Sequence, residues 1–173
     1  EIADRDWSSD VCSSDLFWMD AEMLQVGNGL TESQNRAHFS MWAMLAAPLM
    51  AGNDLRETDA QTLKILTEKE VIAIDQDAAG IPAFRYMKVR DLETWIKPLA
   101  GGEWAVCFLN RGLIPQKQEV NWHELFQARV GVKQRIYSIR NIWEKRDIGT
   151  TENKLTINVP AEDVVLLRIK PID

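Results

Sequence analysis

"KEVIAIDQDAAGIPAFRYMKV", Lys69 to Val89, holds the point where one hydrophobic period gives way to another. Its first half, "EVIAID", reads as a short helix, opened by a capping box at Thr67 with Glu70 three residues later. Its second half, "FRYMKV", alternates with a period of two, as a half-buried strand does. Gly80 and Pro82 lie between the halves, and the expected boundary falls there.

Upstream of this junction the pattern is helical with short apolar interruptions. Thr31 and Gln34 form a capping-box signature. They open a predicted helix from about Glu32 to Ala46, whose apolar positions include Phe39, Trp42, Ala43 and Ala46, and Pro48 stops it. "PLMAGND" then reads as a buried parallel strand ending in polar residues. Thr58 and Gln61 make a further capping box, for a helix through Leu66. Residues 17–77 thus read strand, helix, strand, helix, helix, an α/β pattern.

Downstream, period-two runs dominate: "FRYMKV", "LETWIKPL", "EWAVCFLN", "KQRIYSI", "KLTINV" and "VVLLRI". Trp104, Val106 and Phe108 should face one way, and Ala105, Cys107 and Leu109 the other. Gly101-Gly102 marks a hairpin, and "WHELF" a single helical turn. Strands at this spacing predict an antiparallel β-sandwich.

Composition narrows the function classes. Hydrophobic residues make up 46% of 173, enough for a core. The net charge is -6, and five of the acids (Glu1, Asp4, Asp6, Asp10, Asp15) fall in the first sixteen residues beside one base, Arg5. The remainder is near neutral, so neither nucleic acid nor a membrane surface is an expected partner. Cys12 and Cys107 are too few for a disulfide framework or a zinc site. Cys107, in a strand, reads as a small buried hydrophobe. No apolar run is long enough to span a bilayer.

Residues 1–16, "EIADRDWSSDVCSSDL", repeat "SSD" and follow neither period. They resemble translated sequencing-adapter read-through and are set aside as a non-native segment. The aspartates at 10, 15 and 20 form no expected metal site. The working division is 1–16, then 17–80, then 81–173.

"WMDAEMLQVGNG" (18–29), "HFSMWAMLAAPLMAGNDLR" (38–56) and "KEVIAIDQDAAG" (69–80) resemble, in order and spacing, the last part of glycoside hydrolase family 27. That family contains α-galactosidases and α-N-acetylgalactosaminidases. The resemblance extends more weakly over 84–169, through "WAVCFLNR" and "VVLLRI". It implies the last strands and helices of a (β/α)8 TIM barrel followed by a C-terminal antiparallel β-sandwich, with "WMDAEML" as the seventh barrel strand and "PLMAGND" as the eighth. A whole barrel takes about 250 residues, so 17–80 would be about a quarter of one.

Asp20 and Glu22, two apart on a strand, could share a face as the carboxylate pair of a retaining glycosidase. The resemblance implies otherwise. The family's nucleophile and acid/base are aspartates on the fourth and sixth strands, before Phe17, so no catalytic residue is expected here. Glu22 and Met23 match residues that line the sugar pocket, and Trp18 and Asp20 match supports of the site. Asn53 and Asp54 read equally as caps of the next turn and as supports. Met19, Ala21 and Glu22 depart from the usual Asn, Pro and Asp, leaving the exact sugar open: galactose, N-acetylgalactosamine or a related pyranoside.

The resemblance implies hydrolysis of terminal α-linked galactose by a retaining enzyme with no cofactor or metal, and an α-galactoside as partner. A chain without the catalytic aspartates should be inactive. Its uncovered barrel faces should make it aggregate or need the remaining half. A carbohydrate-binding sandwich without catalysis is the competing expectation, and a ligand-free structural sandwich is a third. His38 reads as a hydrogen-bonded core histidine before a catalytic one. Trp95, Trp104, Trp122 and Trp143 read as sandwich core before sugar platforms, and Gln76-Asp77 as the close of the third helix. Oligomeric state and location are left unknown, with a secreted or periplasmic bacterial enzyme slightly favoured.

Overall fold

The computed structural model describes residues 21–127 and 135–172. Three helices come first: α1 (Glu32–Leu45), α2 (Ala60–Leu66) and α3 (Lys69–Asp75). Strands follow, β1 (Phe84–Val89), β2 (Leu92–Pro98), β3 (Trp104–Asn110) and β4 (Gln116–Val120). After a helical turn, α4 (Trp122–Gln127), come β5 (Tyr137–Asn141), β6 (Arg146–Thr150), β7 (Leu155–Val159) and β8 (Val164–Pro171).

α1 forms where its capping box requires. The Thr31 hydroxyl accepts from the Gln34 N–H at 3.3 Å, and the Gln34 side chain accepts from the Thr31 N–H at 3.0 Å. The helix ends with Ala46 in the left-handed region, φ 53°. The next two caps lie one residue later than the sequence suggested. Asp59, not Thr58, caps α2, because its carboxylate accepts from both Gln61 and Thr62 N–H at 2.8 Å. The Thr58 hydroxyl instead donates to the Asp54 carbonyl at 3.1 Å. Glu68, not Thr67, caps α3, since Thr67 donates back to the Leu63 carbonyl at 2.7 Å and closes α2. Gln76 caps the end of α3, as expected.

The predicted strand "PLMAGND" contracts to one parallel bridge, Leu24 to Ala51. Its two hydrogen bonds, Leu24 N–H to Met50 and Gly52 N–H to Leu24, flank Ala51. Of "WMDAEML", residues 18–20 lie outside the described residues.

β1, β2, β3, β8, β5 and β6 form one antiparallel sheet in that order, and β4 pairs with β7 in a separate ribbon. β3 is buried at every position and faces two cores. Ala105, Cys107 and Leu109 pack on the helices, with Phe39, Ala43 and Met44 of α1. Trp104, Val106 and Phe108 pack under the β4–β7 ribbon and α4, with Val120, Trp122 and Val159. The alternation read along "WAVCFLN" is therefore the alternation observed. This is a β-sandwich with a helical layer on its outer sheet face.

Three strand readings need correction. Of the run "KQRIYSI", Lys133 and Gln134 lie outside the described residues, and β5 starts at Tyr137, after Arg135 and Ile136. β4 ("QKQEV") and β6 ("RDIGT") were missed because both are rich in polar residues and carry little apolar alternation. The Gly101-Gly102 turn is as predicted, with φ 71° and 76°. Trp95, Trp104 and Trp122 are buried core residues, and Trp143 packs on the helix-side core with its indole N–H donating to Ser40 Oγ at 2.9 Å. Cys107 is fully buried, which pushes its thiol pKa up.

Lys97 on β2 is fully buried against the helices, and its ammonium donates to the Ala43 carbonyl at 2.7 Å. Burial lowers its pKa from 10.5 to about 8, and burial raises Asp75 from 3.8 to about 6. Attraction between the two offsets part of each shift. For Lys97 the folded value is depressed, so its stabilising contribution is present above pH 10.5 and is lost as pH falls towards about 8. For Asp75 the folded value is raised, so its contribution is present below pH 3.8 and is lost as pH rises to about 6. The pair thus places a stability trough between about pH 6 and about pH 8. Lys97→Met should flatten the alkaline limb, and urea midpoints measured from pH 8 upward will read this. A variant that keeps the wild-type alkaline rise would assign the limb to other groups.

Candidate functional site

The segment from Ala21 to Gly29 is held from two sides. Leu24, 1% exposed, bridges to Ala51 on one side. On the other, α1 presents side chains: the Gln25 N–H donates to His38 Nε2 at 3.0 Å and the Gly27 N–H to Asn35 Oδ1 at 3.0 Å. Asn35 Nδ2 in turn donates to the Leu30 carbonyl at 3.3 Å. Gly27 and Gly29 turn the chain into α1 with φ 89° and 79°. At Gly27 a Cβ would come within 2.7 Å of Thr62 Cγ2, so the turn also packs closely on α2.

At the open end of this segment stand Glu22 and Met23. Glu22 holds a left-handed backbone, φ 65°, which a non-glycine residue adopts at a cost. Met23 is 51% exposed, and Met50, on the paired segment, 56%. Leu55, in the loop after the bridge, and Leu63 of α2 are exposed as well.

Asn53 and Asp54 follow the bridge. The Asn53 amide donates to Thr58 Oγ1 at 2.9 Å, while its Oδ1 is buried without a hydrogen-bond partner among the described residues. The Asp54 carboxylate accepts from the Arg56 N–H at 3.0 Å and from its guanidinium at 2.9 and 2.5 Å. That guanidinium holds the Asp54 carboxyl below the usual carboxylate range. Asp54 therefore ties the turn together, and Asn53 ties it to Thr58. Trp18 and Asp20 lie outside the described residues.

His38 is half-buried, stacks on Trp42 with ring centroids 3.9 Å apart, and has its pKa lowered by burial. It is hydrogen-bonded, as the sequence suggested, but to the backbone of the site segment. Asn35 was missed. The available signal was two polar residues three apart on an otherwise apolar helix face.

Gly52 is required by its neighbours. A Cβ there would lie 2.6 Å from the Leu24 carbonyl oxygen and 3.2 Å from Met23 Cβ. Gly52→Ala should open the bridge, costing about 1–3 kcal/mol as overpacking does, with a lower thermal midpoint and faster exchange of the Leu24 amide. Wild-type values for both would show that the backbone can shift freely.

No group of three or more His, Cys, Asp or Glu able to hold a metal occurs among the described residues. An antiparallel sandwich preceded by a parallel bridge between short α/β segments is the architecture expected for the end of a barrel glycosidase. Comparison with known proteins agrees. Residues 6–77 match the family model described as alpha galactosidase A, and residues 89–169 match the one described as the alpha galactosidase C-terminal beta sandwich domain. α-Galactosidase A of Cellvibrio japonicus is 44% identical over 165 residues, covering 89% of this chain and 39% of that protein. α-Galactosidase 2 of Arabidopsis thaliana is 38% identical over 141 residues, covering 80% and 34%. The crystal structure of α-galactosidase I from Mortierella vinacea superposes with a TM-score of 0.82 at 32% identity, covering 89% of this chain and 40% of that one. An α-galactosidase from Saccharomyces cerevisiae, solved with raffinose, gives 0.81 at 26% identity, covering 90% and 47%.

The two models together account for most of the chain, which belongs to the α-galactosidase family, glycoside hydrolase family 27, and corresponds to its C-terminal part. It spans between 33% and 40% of the length of these curated relatives.

Proposed function

We propose that this chain supplies one wall of the sugar site of a retaining hydrolase of terminal α-linked galactose. The observation that carries the reading is the placement of Glu22 and Met23. They stand at the exposed end of a segment bridged in parallel to Ala51, within the stretch that matches the α-galactosidase family. Raffinose, found with the yeast relative, is such a galactoside. Glu22 offers the sugar hydroxyls a charged acceptor, and Met23 offers an adaptable apolar contact. Residues 17–80 form the barrel part and 81–173 the sandwich part.

Retention needs two carboxyl groups about 5–5.5 Å apart, one attacking the anomeric carbon and the other protonating the leaving oxygen. In this reading both are aspartates of barrel strands that precede Phe17. The 173-residue chain then has a binding wall and no nucleophile, and is inert by itself.

The test is genomic and enzymatic. The source DNA is sequenced upstream of Phe17, and the extended chain is expressed and assayed on p-nitrophenyl α-galactopyranoside. The reading expects the frame to continue into barrel strands bearing two aspartates, and the longer protein to hydrolyse the substrate while the 173-residue chain does not. A start codon directly ahead of residue 1, or hydrolysis by the short chain, would overturn it. Sugar affinity retained by residues 81–173 alone would favour a binding module.

A further inference from the structure

Leu24 uses its N–H and carbonyl on the Ala51 side, so the next N–H, that of Gln25, points away from that bridge, and the N–H of Gly27 follows within the turn that the Asn28 N–H closes on the Gln25 carbonyl at 3.0 Å. Both reach α1. Side chains three apart on a helix are neighbours about 5–6 Å apart, so one face of α1 can meet both. Asn35 takes the Gly27 N–H and His38 takes the Gln25 N–H. Asn35 is 5% exposed, and its amide orientation is fixed by the Leu30 carbonyl. The imidazole is held by the Trp42 ring one turn further along. Accepting at Nε2 requires an unprotonated Nε2, so the ring proton resides on Nδ1. Burial, which lowers the His38 pKa, favours that neutral form.

We propose that Asn35 and His38 are positioning residues, a two-point clamp on α1 that sets where Glu22 and Met23 stand. This rests on the reading of Glu22 and Met23 as a wall of the sugar site. Neither clamp residue is placed against the sugar. They act through the backbone of Gln25 and Gly27, two and four residues beyond Met23. The bridge to Ala51 fixes the segment along one edge, and the clamp fixes the other, which leaves the left-handed turn at Glu22 one way to project.

The test uses the full chain, monomeric by light scattering, labelled at amide nitrogens and methionine methyls. His38→Phe keeps a ring against Trp42 and removes the acceptor, while His38→Gln offers an acceptor without the ring. In H38F the Gln25 amide should exchange about tenfold faster, as for a lost hydrogen bond, and the Met23 methyl resonance should move. In H38Q both should return towards wild type.

The clamp is overturned if H38F changes neither signal, if Gln25 exchanges faster while Met23 stays in place, or if H38Q and H38F are altered alike. If H38F does not fold, wild type decides the matter through the His38 nitrogen resonances. An unprotonated Nε2 coupled to the Gln25 amide supports the clamp, and a protonated Nε2 overturns it. A Met23 shift in H38F together with an extended chain that hydrolyses no galactoside would leave the clamp standing and sink the sugar-site reading.

Discussion

Phe108→Ala should destabilise the protein by about 3–5 kcal/mol, the range for truncating a buried aromatic side chain. Phe108 is fully buried on β3, between Thr94 of β2 and Val165 of β8, and it faces the core beneath the β4–β7 ribbon. Its ring is one of the large side chains filling the space between the two sheets. Alanine would leave a void that strands paired on both sides cannot close. Such a loss is a large fraction of a typical total stability of about 5–15 kcal/mol. Urea unfolding monitored by tryptophan fluorescence measures it. Leu113→Ala is the control: Leu113 is 80% exposed, and its truncation should fall within about 0.5 kcal/mol of wild type. Equal losses at the two positions would mean that the sandwich core is not where the structure places it.

The second large effect is expected at Asp163, the residue before β8. Its carboxylate is 3% exposed and accepts from Arg36 of α1 at 2.5 and 3.4 Å and from the Val164 N–H at 2.8 Å. This pair ties the helical layer to the sandwich. Nearby links reinforce it: Gln34 to Glu162 at 2.9 Å, and Glu70 to Arg140 at 2.6 and 2.8 Å. Removing one partner of a fully buried pair costs about 3–5 kcal/mol. Arg36 retains Glu32 at 2.6 Å and some access to water, so Asp163→Ala should cost about 2–4 kcal/mol. A double variant, Arg36→Met with Asp163→Leu, should recover much of that, because no stranded charge remains. Both are read from urea midpoints. A single variant within experimental error of wild type would show that packing alone joins the layers.

Much of this molecule is legible in its residues because the signals are local. Thr31 and Gln34 are three residues apart, and the geometry of a helix start converts that spacing directly into a cap. "WAVCFLN" alternates, and pleating converts alternation into two faces. The order of three motifs over about sixty residues placed the chain in its family, and Glu22 and Met23 were nominated by position within the first of them.

Where several local choices compete, the sequence leaves the outcome open. Thr58 and Asp59 both offer a capping oxygen. Asp59 takes the role because Thr58 is engaged by Asn53 and Asp54, residues that reach it only through the folded turn. Thr67 and Glu68 divide in the same way between closing α2 and opening α3. β4 and β6 show little alternation, and only pairing with β7 and β5 makes strands of them.

The sequence by itself determined the passage from helices to strands, the two-faced central strand, the family and the residues nominated for the sugar. Each of these depends on spacings of a few residues or on the order of motifs. Only the tertiary structure decided what holds those nominated residues in place. Asn35 and His38 lie ten and thirteen positions along the chain from Gln25, and no periodicity links an imidazole to one particular backbone N–H. That contact exists because the turn at Gly27 to Gly29 folds α1 back along the segment that precedes it.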